Sequence, residues 1–244
     1  MEWVKRLSIG RAVSEPLEDK VVLGLNQVGW GEFEVTAGAF PDLRPNAACR
    51  LYVGRSDKFT VLLLQGLVSK IEEVRDGVQR ITVRQRSQAL EKHGDLDLTD
   101  CTAVDVLQEI IEISGLTFST AAPSDPRNGY LTRKVPAFSH RGPLTEALAR
   151  LGTVSGIPDA IWYEQPDGRV FWGSWSQTPV AQTPLPLQGN VIQEQDPSGR
   201  AVYIPVVGAI RPGMLMNAPT GTFRVDELQL LGDRMRLEWS AAKV

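Results

Sequence analysis

The segment Val78-Gln79-Arg80-Ile81-Thr82-Val83-Arg84-Gln85-Arg86 alternates polar and apolar residues with a period of two. That period belongs to a strand with one buried and one wet face, and a slip of a single residue would turn the apolar set to water. Arg75-Asp76-Gly77 precedes it, and Asp-Gly between two β runs is a strong hairpin signal. The hairpin anchors a first segment, 1–97, in which short β-branched and aromatic runs are separated by Gly, Pro, Asn and Asp. Strands are predicted at Val21–Leu25, Gly31–Ala37, Cys49–Val53, Phe59–Val74 and Val78–Leu90. Phe59–Val74 is long, and Gln65-Gly66 in its middle suggests a bulge or bend of the kind that closes a small barrel.

At Thr99 the period changes. Val104, Leu107, Ile110 and Ile111 recur at helical spacing behind Thr102, an N-cap with Asp105 three residues on, and Gly115 closes the helix. A second helix starts at Pro143, carries Leu144, Ala147, Leu148, Leu151 and Val154 on one stripe, and ends at Gly156. Ala160–Glu164 and Arg169–Trp172 then form a hairpin across Gln165-Pro166-Asp167-Gly168. Ala121–Asn128, between the helices, reads as a polar loop. Gln177–Gly189, with Pro179, Pro184 and Pro186, reads as a linker without regular structure. Beyond it, strands are predicted at Asn190–Gln195, Ala201–Val207, Met214–Met216, Gly221–Leu230 and Met235–Trp239, with turns at Pro197-Ser198-Gly199 and Gly232-Asp233. The fold class is mainly β with an α+β insertion: two β-barrel-like domains, 1–97 and 179–244, flank a two-helix-plus-sheet module at 98–178.

The chemistry is sparse. A net charge of −3 over 244 residues gives no general attraction to nucleic acid or anionic membrane, so neither is expected as a partner. The longest apolar run, Val61–Leu64, is far below the about 20 residues of a membrane span. The first residues lack the basic start and apolar stretch of a secretory signal, so synthesis in a cytoplasm is expected. Cys49 and Cys101 lie far apart without CxxC spacing and read as reduced, partly buried thiols. The two histidines, His93 and His140, fall at what read as loop or cap positions. Glu72-Glu73 and Glu109 with Glu112 are read as solvated charge rather than as an acid–base pair. Arg80, Arg84 and Arg86 read either as a polar interface stripe or as a wet barrel face. Trp162, Tyr163, Phe171, Trp172 and Trp175 could stack a sugar or a base, but a hairpin under two helices makes them core, with Trp175 the most exposed. No metal, P-loop, dinucleotide or nucleophile motif occurs, so no catalytic, cofactor-binding or metal residue is assigned and no enzyme is expected.

The order of these parts resembles the baseplate hub proteins of contractile phage tails, such as the phage T4 central hub, the Mu-like tail hub and the late control protein D family. The resemblance rests on Tyr52-Val53-Gly54 through Phe59-Thr60, on Gly66-Leu67-Val68, and on Ile81–Ser87 followed by the Thr102–Gly115 helix. It also rests on the hairpin Gly156-Ile157-Pro158 through Val170-Phe171-Trp172, and it runs from about 20 to 240. It implies a structural protein of the virion tail baseplate, a homotrimer adapting the tail tube to a central spike, with tube, spike and other baseplate proteins as partners. The last β segment, 190–244, is shorter than a full barrel, so the implied second barrel is a reduced one. The alternatives are a carbohydrate- or peptide-binding module, which needs the aromatics beside a groove, and a tail-associated cell-wall hydrolase, which needs a catalytic cleft.

Overall fold

The structure is a computed structural model that describes residues 3–55, 60–122, 125–181 and 183–241. Its first segment contains seven strands: β1 (Trp3–Ile9), β2 (Ala12–Ser14), β3 (Glu18–Gly24), β4 (Trp30–Thr36), β5 (Ala48–Arg55), β6 (Thr60–Arg75) and β7 (Val78–Arg84). They pair antiparallel in the order β3-β4-β7-β6-β5-β1-β2. The alternation that opened the reading holds: Ile81 and Val83 are fully buried, while Arg80, Thr82 and Arg84 face outward and are only partly covered. Gly77 takes φ 71° at the β6–β7 turn, where a side chain would be strained. Gly66 serves a close approach: a Cβ there would sit 2.2 Å from the Arg84 carbonyl oxygen. The register shifts flank it instead, near Leu63 against β5 and near Ser69 against β7. Phe59, assigned to this strand from sequence, lies outside the described residues.

Two readings of this segment are corrected. β1 and β2 were not foreseen, because Lys5, Arg6 and Arg11 mask an alternation in which only Leu7 and Ile9 are fully buried. Val78–Leu90 does not run on as one strand: Arg84 is the last residue in the ladder, paired with Trp30 on β4 and Leu67 on β6, and Arg86–Glu91 coils into a 3-10 turn that buries Leu90.

Residues 25–27, 86–122 and 125–181 cluster as a second compact unit. Its elements are β8 (His93–Cys101), α1 (Ala103–Ser114), β9 (Phe118–Ser119), β10 (Val135–Pro143), α2 (Leu144–Ser155), β11 (Ala160–Glu164) and β12 (Val170–Ser174). β8 and β10 form an antiparallel ribbon, and β11-β12-β9 a small sheet with β9 parallel to β12. Thr102 and Asp105 close a reciprocal capping box at the start of α1, and Gly115 ends it at φ 70°. The buried face of α1 is Ala103, Val106, Leu107 and Ile110, so Val104, expected inward, is 44% exposed. The α2 stripe is as read except for Val154, which is 40% exposed, and Gly156 closes the helix at φ 69°. The β8–β10 ribbon was missed because the alternation in β8, Asp95-Leu96-Asp97-Leu98, is only four residues long and β10, with Pro136, Gly142 and Pro143, has no period of two.

The chain then returns to β: β13 (Leu185–Pro186), β14 (Glu194–Gln195), β15 (Ala201–Pro205), β16 (Leu215–Ala218), β17 (Gly221–Leu231) and β18 (Arg234–Ala241). Leu185–Pro186 pairs parallel with Met216–Asn217, so the proline-rich stretch read as structureless holds a short strand, flanked by single 3-10 turns. Only Glu194–Gln195 of the expected Asn190–Gln195 strand is extended.

β17 decides the architecture. Along one edge it pairs with β18; along the other, Gly221–Arg224 meets β16 and Glu227–Leu231 meets β3, with a register shift between Val225 and Glu227 separating the two halves. The first and last β segments thereby share one 13-stranded sheet, and residues 3–24, 28–55, 60–85 and 183–241 form one compact unit. The separate first and last domains drawn from sequence at 1–97 and 179–244 are therefore joined. The physical reason is a common core: Leu7, Phe33, Leu51 and Ile81 belong to the same buried cluster as Val202, Leu228, Leu237 and Trp239. The chain is mainly β with an α+β insertion, as read.

Candidate functional site

Neither histidine lies in a loop, a correction to the sequence reading. His93 opens β8 and His140 lies within β10, cross-paired with Leu96. His140 is buried, and its Nε2 donates to the Pro143 carbonyl at 3.0 Å, which ties the strand end to the start of α2 and leaves that nitrogen no proton to accept. Glu72, Glu73, Glu109 and Glu112 are all exposed, as expected of solvated charge. Cys49 and Cys101 are free and buried, and burial pushes the Cys49 thiol up to about 12, far from the thiolate that a nucleophile needs. Burial also raises the Cys101 thiol.

The arginines of β7 serve the sheet. Arg80 stands directly opposite Glu34 on β4 and donates to its Oε1 at 2.8 Å, while Arg75 reaches Oε2 at 3.4 Å. Glu34 is 7% exposed, so two guanidiniums neutralise one largely covered carboxylate.

The aromatic cluster is core. Trp162, Tyr163, Phe171, Trp172 and Trp175 are between 1% and 6% exposed; Trp175 is the most exposed of them, as read, yet it too is buried. Trp172 Nε1 donates to the Leu148 carbonyl of α2, the partner that a buried indole requires. Beside the cluster, Glu164 is a buried carboxyl that accepts from the Ser87 N–H at 2.6 Å, and burial pushes its pKa above the ordinary carboxylate range. A neighbouring cleft of about 320 Å³ is lined by Leu148 and Ala149 of α2 and Ile161 and Trp162 of β11, together with the polar Asn26, Thr145 and Thr153. No group of three or more His, Cys, Asp or Glu side chains among the described residues could hold a metal, and no helix among them is long and apolar enough to cross a membrane.

What the first unit offers outwardly is edge and surface. β2, three residues long, ends the sheet, and Val13 on it is 59% exposed. Trp3 on β1 and Leu17 just before β3 are 40% and 54% exposed, so three of the large apolar side chains that face water belong to the first 17 residues. The sequence reading missed them because it began its strands at Val21.

No family model matches the chain. An uncharacterized 58.7 kDa protein of Haemophilus phage HP1 is 23% identical over 246 residues, a match covering 96% of this chain and 41% of the relative, so the chain spans less than half of that protein's length. Among solved structures, the 43 kDa tail protein of prophage MuSo2 from Shewanella oneidensis is similar with a TM-score of 0.71 and 9% identity, over 98% of both chains. A tail protein of Neisseria meningitidis MC58 is similar with a TM-score of 0.67 and 11% identity, over 99% of this chain and 97% of its own. A type VI secretion system component of E. coli, itself similar to bacteriophage T4 tail proteins, matches with a TM-score of 0.65 and 9% identity, over 97% of this chain and 77% of its own. At these identities the likeness is one of fold, and the fold is that of phage tail proteins.

Proposed function

We propose that this chain is a structural component of a phage-type tail, acting as the hub at the centre of the baseplate and catalysing nothing. The observation that supports this most is the extent of the fold match: 98% of the chain matches 98% of a prophage tail protein. In this reading the hub is a homotrimer that joins the tail tube to a central spike and contacts other baseplate proteins. It is made in the host cytoplasm and ends in the virion tail. Barrels and sheets that present short edges and exposed apolar side chains bury area between subunits without needing a cleft for a substrate.

The test is the solution mass of the purified chain by light scattering on a size-exclusion column, at micromolar to hundred-micromolar concentration. Three times the 26.8 kDa of the chain is expected. A single-chain mass at every concentration would remove the self-assembling trimer. The carbohydrate- or peptide-binding alternative needs exposed aromatics, and the cluster that motivated it is buried.

A further inference from the structure

The β1–β2 hairpin of the first unit carries opposite charge at its two ends. At the open end, a cleft of about 490 Å³ is rimmed by the exposed Trp3 and Leu17 and lined by Glu15, Glu18, Asp19 and Asp233. Its only cation among the described residues is Lys5, and that ammonium is already used, held by Asp19 Oδ1 at 2.5 Å and by the Gly232 carbonyl. The Asp19 side chain is 5% exposed, and its Oδ2 has no hydrogen-bond partner among the described residues. Four carboxylates facing one committed ammonium beside an exposed indole form a receptor for a guanidinium, which pairs with carboxylates and stacks on aromatic faces.

At the turn end the charge reverses. Arg11 follows Gly10 in the β1–β2 turn, and the Asp42 side chain lies against Gly10, which brings the 37–47 loop with Arg44 to the same place. Arg50 on β5 is paired with Ser8 beside them. All three arginines are exposed, and neither Arg11 nor Arg44 has an ion-pair partner among the described residues. The two ends are separated by the length of β1, about 20 Å at 3.3 Å per residue.

We propose that copies of this chain associate head to tail, with the arginine-bearing turn of one copy seated in the acidic, Trp3-rimmed cleft of the next. The occupant is a second copy because this one chain carries both members of the complementary pair, at opposite ends of one hairpin. Such a contact is heterologous, and a heterologous contact closes into a ring when its rotation allows. The inference rests on the trimer reading and assigns its interface.

Two charge reversals at exposed positions test it: Glu15→Lys with Glu18→Lys in the cleft, and Arg11→Glu with Arg44→Glu at the turn, each checked for native circular dichroism. In light scattering, each pair alone is expected to reduce the wild-type multimer to a single-chain mass, and all four changes together to restore it. Raising salt from about 0.1 M to 1 M, which shortens the screening length from about 10 Å to about 3 Å, is expected to weaken the wild-type multimer. If either reversal leaves a three-chain mass intact, this contact is not the interface and the trimer reading stands. If the wild type has a single-chain mass throughout, both readings fall.

Discussion

Arg211 is a cation whose hydrogen-bond partners among the described residues are carbonyls and no acid. Its Nη1 donates to the Gly208 and Ile210 carbonyls at 2.6 and 2.7 Å and its Nη2 to the Leu62 carbonyl, and burial pulls its pKa down to about 10. Only a guanidinium can serve three carbonyls from one planar fork. Arg211→Met is expected to lower the unfolding free energy by about 2 kcal/mol in urea titration, with Arg211→Lys recovering less than half of it. Glu164 makes a pH prediction. Its folded pKa is raised by burial, so its contribution is fully present below the ordinary value of 4.5 and is lost as pH rises through the folded value. Glu164→Gln keeps an oxygen for the Ser87 N–H and cannot ionise. The variant should be more stable than wild type at pH 8, with the difference closing by pH 4; equal stability at pH 8 would show that the carboxylate costs nothing there. Neither residue was legible in the sequence, where an arginine beside Pro212 and a glutamate ending an aromatic strand look like ordinary surface charge.

Among the elements, those governed by local chemistry were legible. Thr102, Asp105 and Gly115 delimit α1 as spacing alone required, because a capping box is made within four residues. Thr102→Ala is expected to cost about 1 kcal/mol by thermal or urea unfolding. Gly77 likewise fixes the β6–β7 turn through its own φ of 71°. Gly77→Ala should cost about 1 kcal/mol, whereas the same change at a glycine of negative φ in open space would not. The β8–β10 ribbon was illegible for the opposite reason. Its strands are stabilised by each other across 34 residues of chain, from Cys101 to Val135; the alternation in β8 covers only Asp95–Leu98, and β10 has none. That is also why both histidines were read at loop or cap positions and not on strands.

At the scale of the whole chain, β17 ties residues from the first quarter of the sequence to residues from the last. Leu228 is fully buried opposite Leu23 of β3 and Leu237 of β18. Leu228→Ala should cost about 2–5 kcal/mol. Because the core is shared, the loss should appear equally in amide exchange of β3 and β18; slower loss in β3 alone would mean that the two β segments unfold separately. The sequence by itself determined that the chain is mainly β, how α1 is capped at both ends, and that Gly156 closes α2, since hydrophobic period and capping act over a few residues. Only the tertiary structure decided that the outer β segments share a sheet and a core, that Trp175 is buried, and that opposite charges sit at the two ends of one hairpin. Those follow from pairings between residues up to about two hundred positions apart, such as Leu23 with Leu228, which no local pattern records.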